Sequence, residues 1–479
     1  MQDKLPLRYS ATVLQDVSSK VLSYARAQSL GRISAQQLLQ LQRKFQQTYP
    51  VLLQSAAAGV NNNHDILMAF PGDRLTLRGD KCLQFSGDKS FAGSQKFLGA
   101  LDHWWRREKA PVGSSELPFS GGWFVYLSYE LAGEIEPSLK LVAASANDIV
   151  AQAVRIPAAI VRDANTSQAW FVAEHEFIKQ IELVSAHLQQ VESSHASPVA
   201  VSVISELQED DRQIYLKAVE RAKERIAAGD IYQANLSRGW RALLNDGLSA
   251  CDVYERLQFA NPAPFAALAL LDDEAVISSS PERLISIREN KVNTRPIAGT
   301  RPRSSDAQRD MQLIEELRSN TKEQAEHVML LDLERNDLGR ICKGGSVHVN
   351  EYMTVESYAH VHHIVSNVCG ELKEGVTPGE AIAAVFPGGT ITGCPKVSCM
   401  NIISELEPAA RGPYTGSMGY INRDGSMDLN ILIRTLHLKD NVLSFRAGAG
   451  IVADSEPEHE LDEARAKARG LLRALGVSC

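Results

Sequence analysis

Aromatic residues make up only 6% of the 479, and the seven cysteines, an odd number, form no C-x-x-C pair. That excludes a disulfide scaffold and a paired-thiolate zinc knuckle, and it fits reduced thiols in a cytoplasmic protein. Cys394 and Cys399 have the wrong spacing for zinc and read as packing residues. Basic residues are not in excess. Fifty Lys and Arg against 58 Asp and Glu leave a net charge of −8, which excludes a general basic bias toward nucleic acid or anionic membrane. No run approaches the roughly 20 apolar residues of a membrane span. The opening MQDKLPLRYS has no charged stretch followed by an apolar one, so no secretory leader is expected. In so acidic a chain, an anionic substrate needs local help from a cation or from backbone N–H groups.

What is present is a chain long enough for two domains or one two-lobed unit, with 44% hydrophobic and 23% charged residues. The first 186 residues mix short strand-like runs with polar turns, as in DILMAFPGDRLTLRGDKCLQFSG and GGWFVYLSYELAGE. Residues 187–207 are small, polar and poor in aromatics, and are expected to connect to a second region at 208–479. That region opens with Tyr215, Val219, Ala222 and Ile226 at helical spacing, Asp211 as cap and Gly229 as stop. IYQANLSRGW then alternates as a strand, with Gln233, Asn235 and Ser237 on one face. Further strands are expected at AVISSS, KVNTRPIAG, NILIRTLHL and VLSFRAGAG, and helices at 307–318, 322–334, 377–384, 396–405 and 457–475. Strands and helices do not alternate strictly. The pattern therefore predicts an α+β fold with a mixed or antiparallel sheet and helices packed outside.

Two glutamate pairs carry the chemistry. Glu323 with Glu326, and Glu460 with Glu463, are each three residues apart and share a helical face. If the two helices meet, four carboxylates converge, and such a cluster calls for a hard cation such as Mg2+. Taken singly, each pair also reads as an ordinary solvated face. Between them lies FPGGTITGCPK, whose glycines and following helix could seat an anion near Thr390 and Lys396, or form a plain turn. Glu282 follows a strand end in Ser280-Pro281-Glu282, where it is either a general acid in a cleft or an exposed turn residue. His360, His362 and His363 alternate as in a strand, and at most one is expected to face a site.

Together, GDIYQANLS, SSPERL, TRPIAGTRPR, KEQAEHVMLLDLERNDLGR, HHIVS, FPGGTITGCPK, ELEP, RGPYTG, ILIRT and GAGIVADSEPEHE resemble the chorismate-utilising family of anthranilate, aminodeoxychorismate, isochorismate and salicylate synthases. The resemblance implies a two-lobed α/β sandwich of large, mainly antiparallel sheets with helices outside. It implies Mg2+ held directly by Glu326 and Glu463, with Glu323 and Glu460 acting through water. Gly299, Thr300, Thr390, Lys396, Tyr414, Arg434, Gly450 and Lys467 fall at substrate-contacting positions. Glu282 matches the acid that protonates the departing C4 hydroxyl, and His363 matches the family's active-site histidine.

Gln233 stands where the water-using members carry a lysine base. Ammonia needs no such base, so Gln233 points to amination. The chain has no G-x-C-x-G elbow, so the resemblance implies ammonia from a separate glutamine amidotransferase subunit, component II. NPAPFA at 261–266 and MDLNILIRT resemble the aminodeoxychorismate synthases. Gln54 replaces the glutamate of tryptophan-inhibited anthranilate synthases. Ala298, in PIAGT, is the anthranilate-type residue, where many aminodeoxychorismate synthases have a lysine nucleophile.

Overall fold

The computed structural model describes residues 20–21, 24–55, 64–87, 95–111, 116–191, 202–358 and 361–477. Ala359, His360, Cys479 and 192–201, half of the expected connection, lie outside the described residues. Among those described, all strand pairs are antiparallel and fall into two sheets of 13 and 11 strands. Among the described residues, no helix is long and apolar enough to cross a membrane.

Both sheets draw strands from both halves of the chain. In the larger, Val51–Gln54 pairs with Phe265–Leu271; in the smaller, Gly122–Leu127 pairs with Ser417–Asn422. The segments on either side of 187–207 therefore share both sheets. The alternation of Gly122–Leu127 shows the layering. Phe124 and Tyr126 join a core between the sheets that also holds Val51, Ile66 and Val276. Trp123, Val125 and Leu127 face a second core, completed by helical Phe97, Trp104, Leu331 and Ile382. A third core lies outside the larger sheet under helical Leu38, Tyr254, Ala468 and Leu471. Both faces of Gly122–Leu127 are apolar because both are covered.

Most expected elements are present. Asp211 caps helix Arg212–Ala227 by accepting from the Gln213 N–H. The helices expected at 307–318, 377–384, 396–405 and 457–475 are Ala307–Ser319, Pro378–Val385, Lys396–Leu406 and Pro457–Ala474. The helix expected at 322–334 continues to Ile341. Leu338 and Ile341 are buried there, so core packing carries it past the charged run at 332–337.

NILIRTLHL is not one strand. Met427–Asn430 belongs to the smaller sheet and Thr435–Lys439 to the larger. The chain crosses between sheets at 431–434, where Arg434 takes a left-handed φ of +52°. KVNTRPIAG likewise splits at Pro296 into Lys291–Arg295 and Ile297–Pro302, because proline has no N–H for the ladder.

Candidate active site

A second crossing lies beside the first. Glu274–Ser280 is in the larger sheet and Arg283–Arg288 in the smaller, so Pro281 and Glu282 span the gap. The crossings are tied together: the Ser280 hydroxyl donates to the Ile431 carbonyl at 2.5 Å, and the Ile431 N–H donates to the Glu282 carbonyl at 3.0 Å. This stitching brings Glu282 and Arg434 into one buried space. Burial drives the Glu282 pKa up to about 7, against the lowering influence of Thr390, the Ile297 N–H, Arg434 and Lys467. One Glu282 oxygen, Oε1, is buried without a hydrogen bond. The Thr390 hydroxyl is near enough to favour the carboxylate, yet is itself without a well-formed hydrogen bond. Arg434 is also depressed by burial, with Glu282 opposing, and its guanidinium donates to no described residue.

The glycine-rich run is wedged between elements. A Cβ on Gly388 would lie 2.7 Å from Ile431 Cδ1, and one on Gly389 would lie 2.3 Å from Leu333 Cδ2. Only glycine lets this turn sit between the crossing and helix Thr321–Ile341, and that contact sets Thr390 beside Glu282.

His363 lies on strand Val361–Glu371, with Nδ1 2.9 Å from the Thr300 hydroxyl. Burial, then the nearby Arg434 charge, lowers its pKa to about 3, so the imidazole is neutral, and Nε2 has no partner. His362 points elsewhere, between Asp310 at 3.0 Å and Ser357 at 2.7 Å.

Of the first glutamate pair, Glu323 accepts from Arg301 at 2.7 Å through Oε1, while Oε2 is buried and unpartnered. That oxygen would lie 2.7 Å from a Cβ on Gly299, whose φ is +67°. Glu326 Oε1 accepts from Gln233 Nε2 at 2.8 Å. A Cβ on Gly450 would sit 2.3 Å from that same nitrogen and 3.5 Å from Glu326 Oε1, so Gly450, Gln233 and Glu326 meet. Of the second pair, Glu460 is buried at 8% exposure, whereas the Glu463 side chain is half exposed and paired with Lys467 at 2.8 Å. Both reach Tyr215 electrostatically, which buried Tyr414 also approaches. The donors are hard oxygens, one of them, Glu323 Oε2, without a partner, and in kind they fit a divalent cation such as Mg2+. They are not a closed ligand shell: among the described residues, no three His, Cys, Asp or Glu side chains are gathered closely enough to hold an ion as they stand.

Lys396 is engaged away from this group. Its ammonium binds Asp337 at 2.5 Å and the Val385 carbonyl at 3.2 Å. Buried Glu334 lies alongside, raised to about 8 by burial and by Asp337. Sequence reasoning passed over Glu334 and Asp337 because they read as part of a charged helical face. It also passed over Arg411, Glu407 and Arg446, a buried network in which both guanidiniums bind Glu407 and Arg411 stacks on Tyr414 at 5.5 Å. Burial around Tyr414 pushes its phenol up to about 12.

Residues 56–473 match the family described as chorismate binding enzymes. This chain belongs to that family. As a family member it is an enzyme acting on chorismate, built on the anthranilate synthase fold. It is 38% identical over 447 residues to the aminodeoxychorismate synthase component 1 of Bacillus subtilis, covering 89% of this chain and 92% of that one. It is 44% identical over 362 residues to an anthranilate synthase component I-like protein of Synechocystis, covering 75% and 73%. The crystal structure of anthranilate synthase component I from Streptococcus pneumoniae matches with a TM-score of 0.73 at 28% identity, covering 86% of this chain and 93% of that one.

Proposed function

We propose that this chorismate-binding enzyme aminates chorismate at ring C4. The product would be 4-amino-4-deoxychorismate, toward 4-aminobenzoate and folate, with ammonia from a separate glutamine amidotransferase subunit. The observation that carries amination is Gln233. Its buried amide is pinned to Glu326 and offers no base to deprotonate water, and ammonia requires none. The C4 choice rests on NPAPFA and MDLNILIRT, and on likeness over nearly the full length of the Bacillus subtilis aminodeoxychorismate synthase component.

The residues divide the work. Arg434, whose guanidinium has no hydrogen-bond partner among the described residues, grips a substrate carboxylate, as a guanidinium does best. Lys467, Tyr414, Thr300, Gly299, Thr390 and Gly450 line the same substrate space. Neutral His363 offers its free Nε2 to the substrate. Glu282, protonated near neutrality, gives its proton to the C4 hydroxyl, which leaves as water as the C4–O bond breaks and a C–N bond forms. The incoming nitrogen then loses the balancing proton. When bound by Glu326 and Glu463, with Glu323 and Glu460 through water, Mg2+ supplies a charge template for the ring carboxylate.

A second reading, anthranilate synthase component I, is favoured by Ala298. This residue is 7% exposed on a strand beside Ile364 and has no nucleophile. Product analysis separates the two. The purified chain, given chorismate, Mg2+ and ammonium, is expected to yield 4-aminobenzoate only when an aminodeoxychorismate lyase is added. Fluorescent anthranilate without the lyase would establish the second reading.

Tryptophan is expected to leave turnover unchanged. The Gln54 carbonyl, in place of a carboxylate, already accepts from Tyr254 at 3.1 Å and from Gln258. Inhibition by added tryptophan in the same assay would refute this.

A further inference from the structure

Resting on the amination reading, we infer that Asn235 is a specificity-determining residue: its side-chain carbonyl, with that of Gln233, holds the attacking ammonia against the substrate. Both residues lie on strand Gln233–Leu244, two positions apart and so on one face. Asn235 is the direct cross-strand partner of Gly450. A Cβ at Gly450 would point into the Gln233 amide, so the Asn235 side chain rises on the same side as Gln233 and Glu326.

Both carbonyls are poised and empty-handed. Gln233 gives its Nε2 hydrogen to Glu326, which fixes the amide and leaves Oε1 buried without a partner. Asn235 Oδ1 is likewise buried without a partner. The backbones behind them are tightly held. The Asn235 N–H donates to the Thr392 carbonyl at 2.9 Å, and the Asn235 carbonyl accepts from Arg411 at 2.6 Å. The Gln233 carbonyl accepts from the Cys399 thiol at 3.0 Å. A buried amide oxygen left without a donor is costly, and two on one strand face mark a place for a small donor. Ammonia has three N–H donors and one lone pair. Two carbonyls can take two of those hydrogens and leave the lone pair free for the ring carbon. Water held in the same place stays a weak nucleophile, because neither amide can accept its proton.

The test is steady-state kinetics with ammonium as the nitrogen source and chorismate varied independently, on Asn235→Val, Asn235→Ser and Asn235→Asp, with melting temperatures as a check on folding. Val and Ser remove the amide carbonyl and are expected to raise KM for ammonium about tenfold, the loss of one hydrogen bond. KM for chorismate should stay within about twofold. Asp keeps an acceptor and is expected to restore KM for ammonium toward the wild-type value. If Val fails to fold, the smaller Ser decides. An unchanged KM for ammonium in a folded Val or Ser variant, or both KM values rising together, would overturn the inference while leaving amination standing. A wild-type chain that turns over chorismate but makes no amine from ammonium would overturn the amination reading itself, and Asn235 with it.

Discussion

Replacing Glu282 by Gln is expected to lower kcat about 10²–10⁴-fold, the usual span for a positioned general acid. The amide fills the same space between the two crossings but carries no transferable proton. Wild-type kcat/KM for chorismate, measured with free ammonia saturating at each pH, should fall as pH rises through about 7, because the raised pKa of Glu282 means that the active, protonated form is lost there. In Glu282→Gln that limb should vanish, leaving a low and flat profile. A shallow loss with the limb retained would move the acid role to another group. Buried Glu334, raised to about 8 and electrostatically coupled to Glu282, would be the next residue to test.

Replacing Glu326 or Glu463 by Gln is expected to abolish Mg2+-dependent turnover, a loss of more than about 10²-fold, while leaving the melting temperature near wild type. Each change removes a negative charge and a hard oxygen from the proposed cation site. The outer pair should behave differently. Glu323→Gln or Glu460→Gln should weaken the response to Mg2+ by about 10–100-fold, and part of that loss should return at high Mg2+. The measurement is activity against Mg2+ concentration in chelator-stripped enzyme. Full activity in Glu326→Gln would remove the metal assignment. Glu326 has a second duty, since it anchors the Gln233 amide at 2.8 Å. Glu326→Gln should therefore also disturb the response to ammonium, whereas Glu463→Gln should not. Because Glu463 is half exposed and paired with Lys467, its replacement has little to unsettle in the fold.

By itself the sequence determined the elements and the chemical vocabulary of this protein. Apolar spacing in Tyr215 through Ile226, the Asp211 cap and the alternation of IYQANLSRGW are local signals, and local backbone preference reads them without reference to distant residues. The three-residue spacing of each glutamate pair and the strand-end position of Glu282 are legible in the same way. Tertiary structure alone decided which of these residues meet. Glu282 and Arg434 are 152 positions apart, and they share one space because two chain segments cross between sheets side by side. NILIRTLHL gives no local sign of its break, since β propensity cannot report that a chain changes sheets. Lys396, beside the glycine run in sequence, is drawn to buried Asp337, because a buried carboxylate needs a partner more than a turn needs a cation. Glu334 looks solvated along its helix and is buried by a core that the sequence of that helix does not contain. Burial raises the Glu282 pKa against the pull of its long-range partners, burial and the Arg434 charge hold His363 neutral, and both are properties of the assembled sheets rather than of any segment.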